Sequence, residues 1–365
     1  MKRERHIYIS GHTQVGFFSV LPELSKELEV LYVIKGLSKK KTDKFLKRIA
    51  LEYSSYDLSI DYFHSPSQNE YIEGIRVNEH NIAMVEYELA KKLEKELLEQ
   101  RTVIVNLEKV LEPAVLKENQ KTVVLLQKER NFQVESAYNL FAEAKGFHQK
   151  KEDIYLQWMD FKKADAVCDK LIETLFCNSK ENETQGNMEE IFFGAATPNG
   201  AVHFIEELTA GLQKRYIIKG RSGSGKSTLM RKVGDVAQNR GMDITYFLCG
   251  FDPSSVDMLI IEELGIAIID GTSPHVIDPT RETDEVIDMF EHCIDPAVEE
   301  DEQRLAEIRE VEEEYRSRMK KGTKHLQKAD EIQKVIDEYY DNAVDEKLLA
   351  KMEREALKKV IITLD

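Results

Sequence analysis

Eight consecutive residues, Gly220-Arg221-Ser222-Gly223-Ser224-Gly225-Lys226-Ser227, have the types and spacing of a phosphate-binding loop. Glycines at 220, 223 and 225 permit backbone angles and a close approach that a Cβ would obstruct. Such a loop curls its N–H groups into a nest for anionic oxygens at the positive end of the following helix. Lys226 is expected to reach the β- and γ-phosphates of a nucleoside triphosphate. Ser227 offers a hydroxyl to Mg²⁺, and Thr228 is placed to touch the α-phosphate. Downstream, Leu264-Gly-Ile-Ala-Ile-Ile-Asp270 reads as an apolar strand ending in a carboxylate, the Walker B pattern. There Asp270 would hold the Mg²⁺ shell through water. The chain has no Asn-Lys-x-Asp guanine signature, which favours ATP over GTP.

Phosphoryl transfer also needs a group that orients or deprotonates the nucleophile. Asp252 follows the strand ending near Leu248 and should lie at the carboxyl edge of the sheet, where open α/β folds bind ligands. Asp252-Pro253 equally fits an N-cap followed by proline at the first helical position. Asp257 is a second candidate. His275, Thr272 and Ser273 suit either a phosphate contact or a turn, and Arg221 and Arg281 are candidate charge stabilisers.

Positioning these groups requires strands and crossover helices. Runs at 215–219, 244–248 and 265–269 read as buried strands, and 227–239 as a helix stopped by Asn239-Arg-Gly241. This alternation predicts an α/β fold with a parallel sheet. Residues 300–360 read as a charged helical arm, with Gly322 separating two helices.

An ungapped overlay of 7–86 on 191–270, an offset of 184, gives 17 identities in 80 positions. About five are expected from average residue usage. The matches include Thr13/Thr197, Gly16/Gly200 and the run Ile34-Lys-Gly36 on Ile218-Lys-Gly220. The chain therefore reads as an internal duplication: a first repeat at 1–177 with its arm at about 87–176, a linker at 178–188, and a second repeat at 189–365. Tyr155 and Asp160 match Tyr340 and Asp345 at an offset of 185, extending the duplication into the arms.

At the loop the first copy has Gly36-Leu-Ser-Lys-Lys-Lys-Thr-Asp43. Lys39 and Lys41 replace glycines, Thr42 replaces the phosphate-binding lysine, Asp43 replaces the Mg²⁺ serine, and Glu86 takes the Walker B place. This predicts a pseudo-site, with one intact site in the second half. Lys39, Lys40 and Lys41 are expected either to form a solvated turn or to reach across to phosphates in that half.

These features give the chain a recognisable likeness. Phe193-Gly-Ala-Ala-Thr-Pro-Asn-Gly200, Lys214-Arg-Tyr-Ile-Ile-Lys-Gly220, Cys249-Gly-Phe-Asp-Pro253 and Asp270-Gly-Thr-Ser-Pro-His-Val276 carry it. It resembles the bacterial tandem P-loop ATPase-like proteins of spore-forming Gram-positives, some labelled nucleotide kinases. The resemblance implies tandem P-loop NTPase-like domains, each followed by a helical arm, and ATP binding. Proteins of that family usually carry a P-loop in each half, and this chain departs from them at 39 and 41.

A net charge of −16 argues against general binding of nucleic acid or anionic membrane. Cys168, Cys177, Cys249 and Cys293 lack Cys-x-x-Cys spacing and read as reduced thiols. No apolar stretch approaches the length of a membrane span, and the expected compartment is the cytoplasm. The arms suggest buttresses, a pairing of the halves, self-association or a protein partner. The functional expectation is Mg²⁺-dependent ATP hydrolysis. A small-molecule or nucleotide kinase using Asp252 as base and a non-hydrolysing ATP switch are the alternatives.

Overall fold

The structure is a computed structural model, and it describes residues 4–91, 93, 101–177, 182 and 184–361. Residues 178–181 and 183 of the expected linker lie outside the described residues.

The first half runs β1 (Glu4–Ile7), β2 (Ser10–Thr13), β3 (Gly16–Ser19), α1 (Leu21–Glu27), β4 (Val30–Lys35), α2 (Lys39–Ser54), β5 (Ile60–His64), β6 (Ile72–Val77), β7 (Ile82–Glu86), α3 (Tyr87–Ala90) and β8 (Thr102–Asn106). Its arm is α4 (Pro113–Leu156) and α5 (Phe161–Phe176). The second half repeats this as β9 (Met188–Ile191), β10 (Gly194–Thr197), β11 (Gly200–His203), α6 (Ile205–Leu208), β12 (Lys214–Lys219), α7 (Lys226–Asn239), β13 (Ile244–Leu248), β14 (Val256–Ile261), β15 (Ile266–Asp270), β16 (Glu285–Asp288) and α8 (Met289–Cys293). Its arm is α9 (Glu302–Asp341) and α10 (Glu346–Ile361).

Each half builds a six-stranded sheet, β1-β5-β6-β7-β4-β8 in one and β9-β13-β14-β15-β12-β16 in the other. The strand orders are identical, as the constant offset requires. The expected all-parallel sheet needs correction. β12 is parallel to β15 and β16, and β13 to β9, but β14 runs antiparallel to both of its neighbours. Only residues 262–265 join β14 to β15, and a parallel connection needs a dozen residues or more. The short link closes as a turn with Gly265 at φ +63°.

The arms are exchanged between the halves. Leu171 and Phe176 of α5 share a core with Leu229, Met230 and Val233 of α7, in the second half. Reciprocally, Leu349, Ala356 and Val360 of α10 share a core with Phe45, Leu46 and Ile49 of α2. Each terminal helix thus covers the apolar face of the other repeat. Asp160 and Asp345 play the same part: each accepts two backbone N–H bonds at the start of its helix, α5 or α10, at 3.0–3.2 Å.

An approximate two-fold axis relates the halves. Tyr8 and Phe192, equivalent at the offset of 184, exchange two backbone hydrogen bonds of 2.9 Å. The long helices α4 and α9 pack along each other, with Ala137, Phe141 and Leu326 buried between them. Gly322 does not separate two helices; α9 runs through it. A Cβ at 322 would lie 2.4 Å from the Phe141 ring, so glycine is needed for close packing rather than for a break. Trp158 packs with Ile294, Val298 and Ile308 of the second half, joining the repeats. Among the described residues, no helix is long and apolar enough to cross a membrane.

Candidate functional site

Tyr216, Ile217 and Ile218 bury β12 inside its sheet, and the strand delivers the chain at Lys219 to the glycine-rich loop. Gly220, Gly223 and Gly225 take φ of +154°, +79° and +80°, a region that costs other residues steric strain. Gly225 is the N-cap of α7, so the loop opens directly onto a helix N-terminus. The Ser224 hydroxyl is buried without a hydrogen-bond partner. Lys226 Nζ donates to the Arg221 carbonyl at 3.0 Å and lies 3.6 Å from Asp270. Ser227 Oγ accepts the Val256 N–H at 2.9 Å, which leaves a lone pair free on the oxygen. Asp270 Oδ1 accepts from Thr272 N–H at 3.0 Å and from Thr272 Oγ1 at 2.5 Å, so Thr272 orients this carboxylate.

The loop forms the floor of a cavity of about 1000 Å³. Its walls include Asp252, Asp257 and Asp270 from the second sheet, His148 and Lys151 from α4, and Tyr315 from α9. The arm contributed by the first half thus lies over the second-half loop. Glu152 and Leu156 of α4 are so close to Gly223 that a Cβ there would meet them at 3.1–3.2 Å.

The sequence candidates divide clearly. Asp252 lies at the sheet edge as expected, but no helix follows it, and its carboxylate caps a turn through Ser254 at 2.7 Å. Burial would raise its carboxyl, but Lys145 at 2.8 Å and Ser254 outweigh that and hold it below the usual carboxylate range. Asp257 is the opposite: burial, then the neighbouring Asp270 charge, push its carboxyl above that range. His275 N–H donates to the Thr272 carbonyl at 3.0 Å, the turn role, and its ring packs on Phe193 and His203. Burial and His203 lower it to about 4. Arg221 is held by Glu299 at 2.5 Å over the Phe290 ring. Arg281 donates to the Thr209 carbonyl at 2.8 Å and does not line the cavity.

Sequence reasoning missed the α4 groups. Burial, then Lys145 and Lys151, push His148 down to about 4, so its imidazole is neutral at pH 7. No local motif flags these residues, because only the arm exchange brings them over the loop.

The first half shows what the loop substitutions do. Without the second and third glycines, α2 begins at Lys39, the position matching Gly223, with Ser38 as its N-cap. The stretch that forms an open loop in the second half is wound into a helical turn. Asp43 Oδ1 accepts the Ile72 N–H at 3.0 Å, repeating the Ser227–Val256 bond 184 residues earlier. Lys39 and Lys41 do not reach the other half's loop. Lys39 Nζ lies 2.8 Å from Glu86, 2.7 Å from Ser65 and 3.5 Å from Glu73, while Lys41 pairs with Glu346 at 2.5 Å. Lys40 is exposed.

No protein-family model, curated protein or solved structure matches this chain.

Proposed function

We propose that the chain binds ATP with Mg²⁺ at the 220–227 loop and hydrolyses it there, as a tandem P-loop NTPase with one competent site. Support comes from one contrast within the molecule. Residues 220–225 form an open loop with three glycines at positive φ and an unpartnered Ser224 hydroxyl, whereas residues 39–41, which match 223–225, are helical. The loop's backbone N–H groups would serve phosphate oxygens at the start of α7, the Ser224 N–H by exchanging its 3.2 Å bond to the Arg221 carbonyl. Thr228, in the first turn of α7, would serve the α-phosphate.

The site's chemistry follows from charge placement. On binding, Lys226 would exchange its Asp270 contact for phosphate oxygens, supplying positive charge where the transition state spreads negative charge. Ser227 and Asp270 would hold Mg²⁺, which supplies Lewis-acid neutralisation of the phosphates when bound. Thr272 keeps the Asp270 carboxylate aimed. The neutral His148 imidazole, carried in on α4, provides a ring nitrogen to orient an attacking water or hydroxyl.

A switch is the second reading, favoured by the contact of Glu152 and Leu156 with Gly223, through which an occupied loop would be felt by α4. Calorimetric titration with ATP, followed by phosphate release, tests both. Hydrolysis requires one ATP per chain and phosphate release above background. Tight binding with no release selects the switch, release only with an added acceptor selects a kinase, and two equivalent ATP sites refute the pseudo-site.

A further inference from the structure

The duplication preserves a second acidic position beside the loop. Asp257 and its match Glu73 are the second residues of a strand that runs antiparallel to the strand ending in Asp270 or Glu86. Met258 pairs with Ile269, so Asp257 stands across from Asp270. Both carboxylates line the cavity with Lys226 and Ser227. Val256, the residue before Asp257, donates its N–H to Ser227 and ties that strand to the loop.

In the first half the equivalent pair already contains a cation. Thr42 replaces the loop lysine there, and the Lys39 ammonium comes instead from the position of Gly223 to lie 2.8 Å from Glu86 and 3.5 Å from Glu73. Ser65 completes its shell at 2.7 Å. Two adjacent buried carboxylates repel unless a positive charge is present. The first half meets that requirement permanently with a side chain. In the second half, free of nucleotide, Lys226 meets it from 3.6 Å at Asp270. When Lys226 turns to the phosphates, Asp257 and Asp270 lose that charge and need another.

We propose that Asp257 joins Asp270 and Ser227 in holding the Mg²⁺ of the bound nucleotide, and that Lys39 is the built-in substitute for that ion in the first half. The live-site part of this inference rests on the nucleotide reading above. The donor set suits the ion. Among the described residues no cluster of three or more His, Cys, Asp or Glu is placed to hold a metal, and Mg²⁺ commonly takes one or two carboxylates plus substrate phosphates and waters. Gly223 is then required for a second reason: a lysine there would place an ammonium where the ion belongs.

Two measurements test the assignment on the full chain. ATP affinity is measured by calorimetry in EDTA and in excess Mg²⁺ for wild type and Asp257→Asn. The wild type gains affinity from Mg²⁺, and Asp257→Asn loses about 10- to 100-fold of that gain, with its affinity in EDTA unchanged. An Asp257→Asn chain that keeps the whole gain overturns the assignment. A wild type that binds ATP in neither buffer overturns the nucleotide reading itself, which is a different result. The second measurement needs no nucleotide: Mn²⁺ binding followed by electron paramagnetic resonance. Lys39→Met should bind one Mn²⁺ more than wild type, and Lys39→Met/Glu86→Gln should lose it. A folded Lys39→Met chain with no added Mn²⁺ site refutes the substitution of lysine for metal.

Discussion

Replacing Lys226 by alanine should weaken ATP binding, and the structure bounds by how much. In the free loop the ammonium is not idle; it donates to the Arg221 carbonyl at 3.0 Å and lies 3.6 Å from Asp270. Two unit charges at such a separation attract by roughly 4–5 kcal/mol at an effective dielectric of about 20. Phosphate binding therefore exchanges one strong interaction for another, and the full Coulomb energy does not appear in the affinity. The net difference should approach that of a charge-assisted hydrogen bond, about 1.5–3 kcal/mol. That corresponds to a dissociation constant raised roughly 10- to 150-fold. The control is Thr42→Ala, the matching position in the first half, where no ammonium is lost and ATP affinity should not change. Calorimetric titration of both variants with ATP measures the difference, with thermal melts confirming that each is folded. Equal losses in the two variants, or none in Lys226→Ala, would refute the assignment of one live and one dead site.

Three further outcomes are expected. Arg215 is fully buried and bonds Asp284 at 2.6 and 2.9 Å and Glu206 at 2.9 and 3.0 Å, so Arg215→Met leaves Asp284 with only the Thr280 and Arg281 N–H groups and should cost about 1.5–3 kcal/mol, measured by urea unfolding. Gly322→Leu drives a side chain into Phe141, parts α4 from α9, and should lower stability by about 1–3 kcal/mol or more together with ATP affinity, both read from melts with and without nucleotide. Burial would raise the Asp61 carboxyl, but Arg5 and Arg76 outweigh it and hold the group below its unfolded value. Its contribution is therefore complete above the unfolded value of about 3.9 and is lost as pH falls towards the folded one. Urea unfolding between pH 7 and pH 3 should show a shallower acid loss for Asp61→Asn than for wild type.

Much of the second-half loop was legible because its requirements are local. Three glycines, a lysine and a hydroxyl at set spacing need only the adjacent strand and helix. The helical start of the first copy at Lys39 was legible for the same reason, since lysines at 39 and 41 cannot easily take the backbone angles of Gly223 and Gly225. The duplicated register also contained a signal not drawn from it: Glu73 and Asp257, like Glu86 and Asp270, keep a carboxylate at matched positions. The ion pair of Asp252 was not legible, because its partner, Lys145, is more than a hundred residues away on another helix. β14 was not among the strands read from the sequence, although Val256–Ile261 is apolar and is set off from the 265–269 run by Glu262 and Glu263.

The sequence by itself determined the two repeats, the strand-loop-helix unit at 215–239 and the loss of its copy at 36–43. These depend on residue type and on neighbours a few positions away. Only the tertiary structure decided that the arms cross, bringing His148, Lys151 and Glu152 over a loop belonging to the other half. An amphipathic helix carries an apolar face but no address. Which sheet it covers depends on the whole packing, and here Gly322 lets α9 lie close against Phe141 of α4.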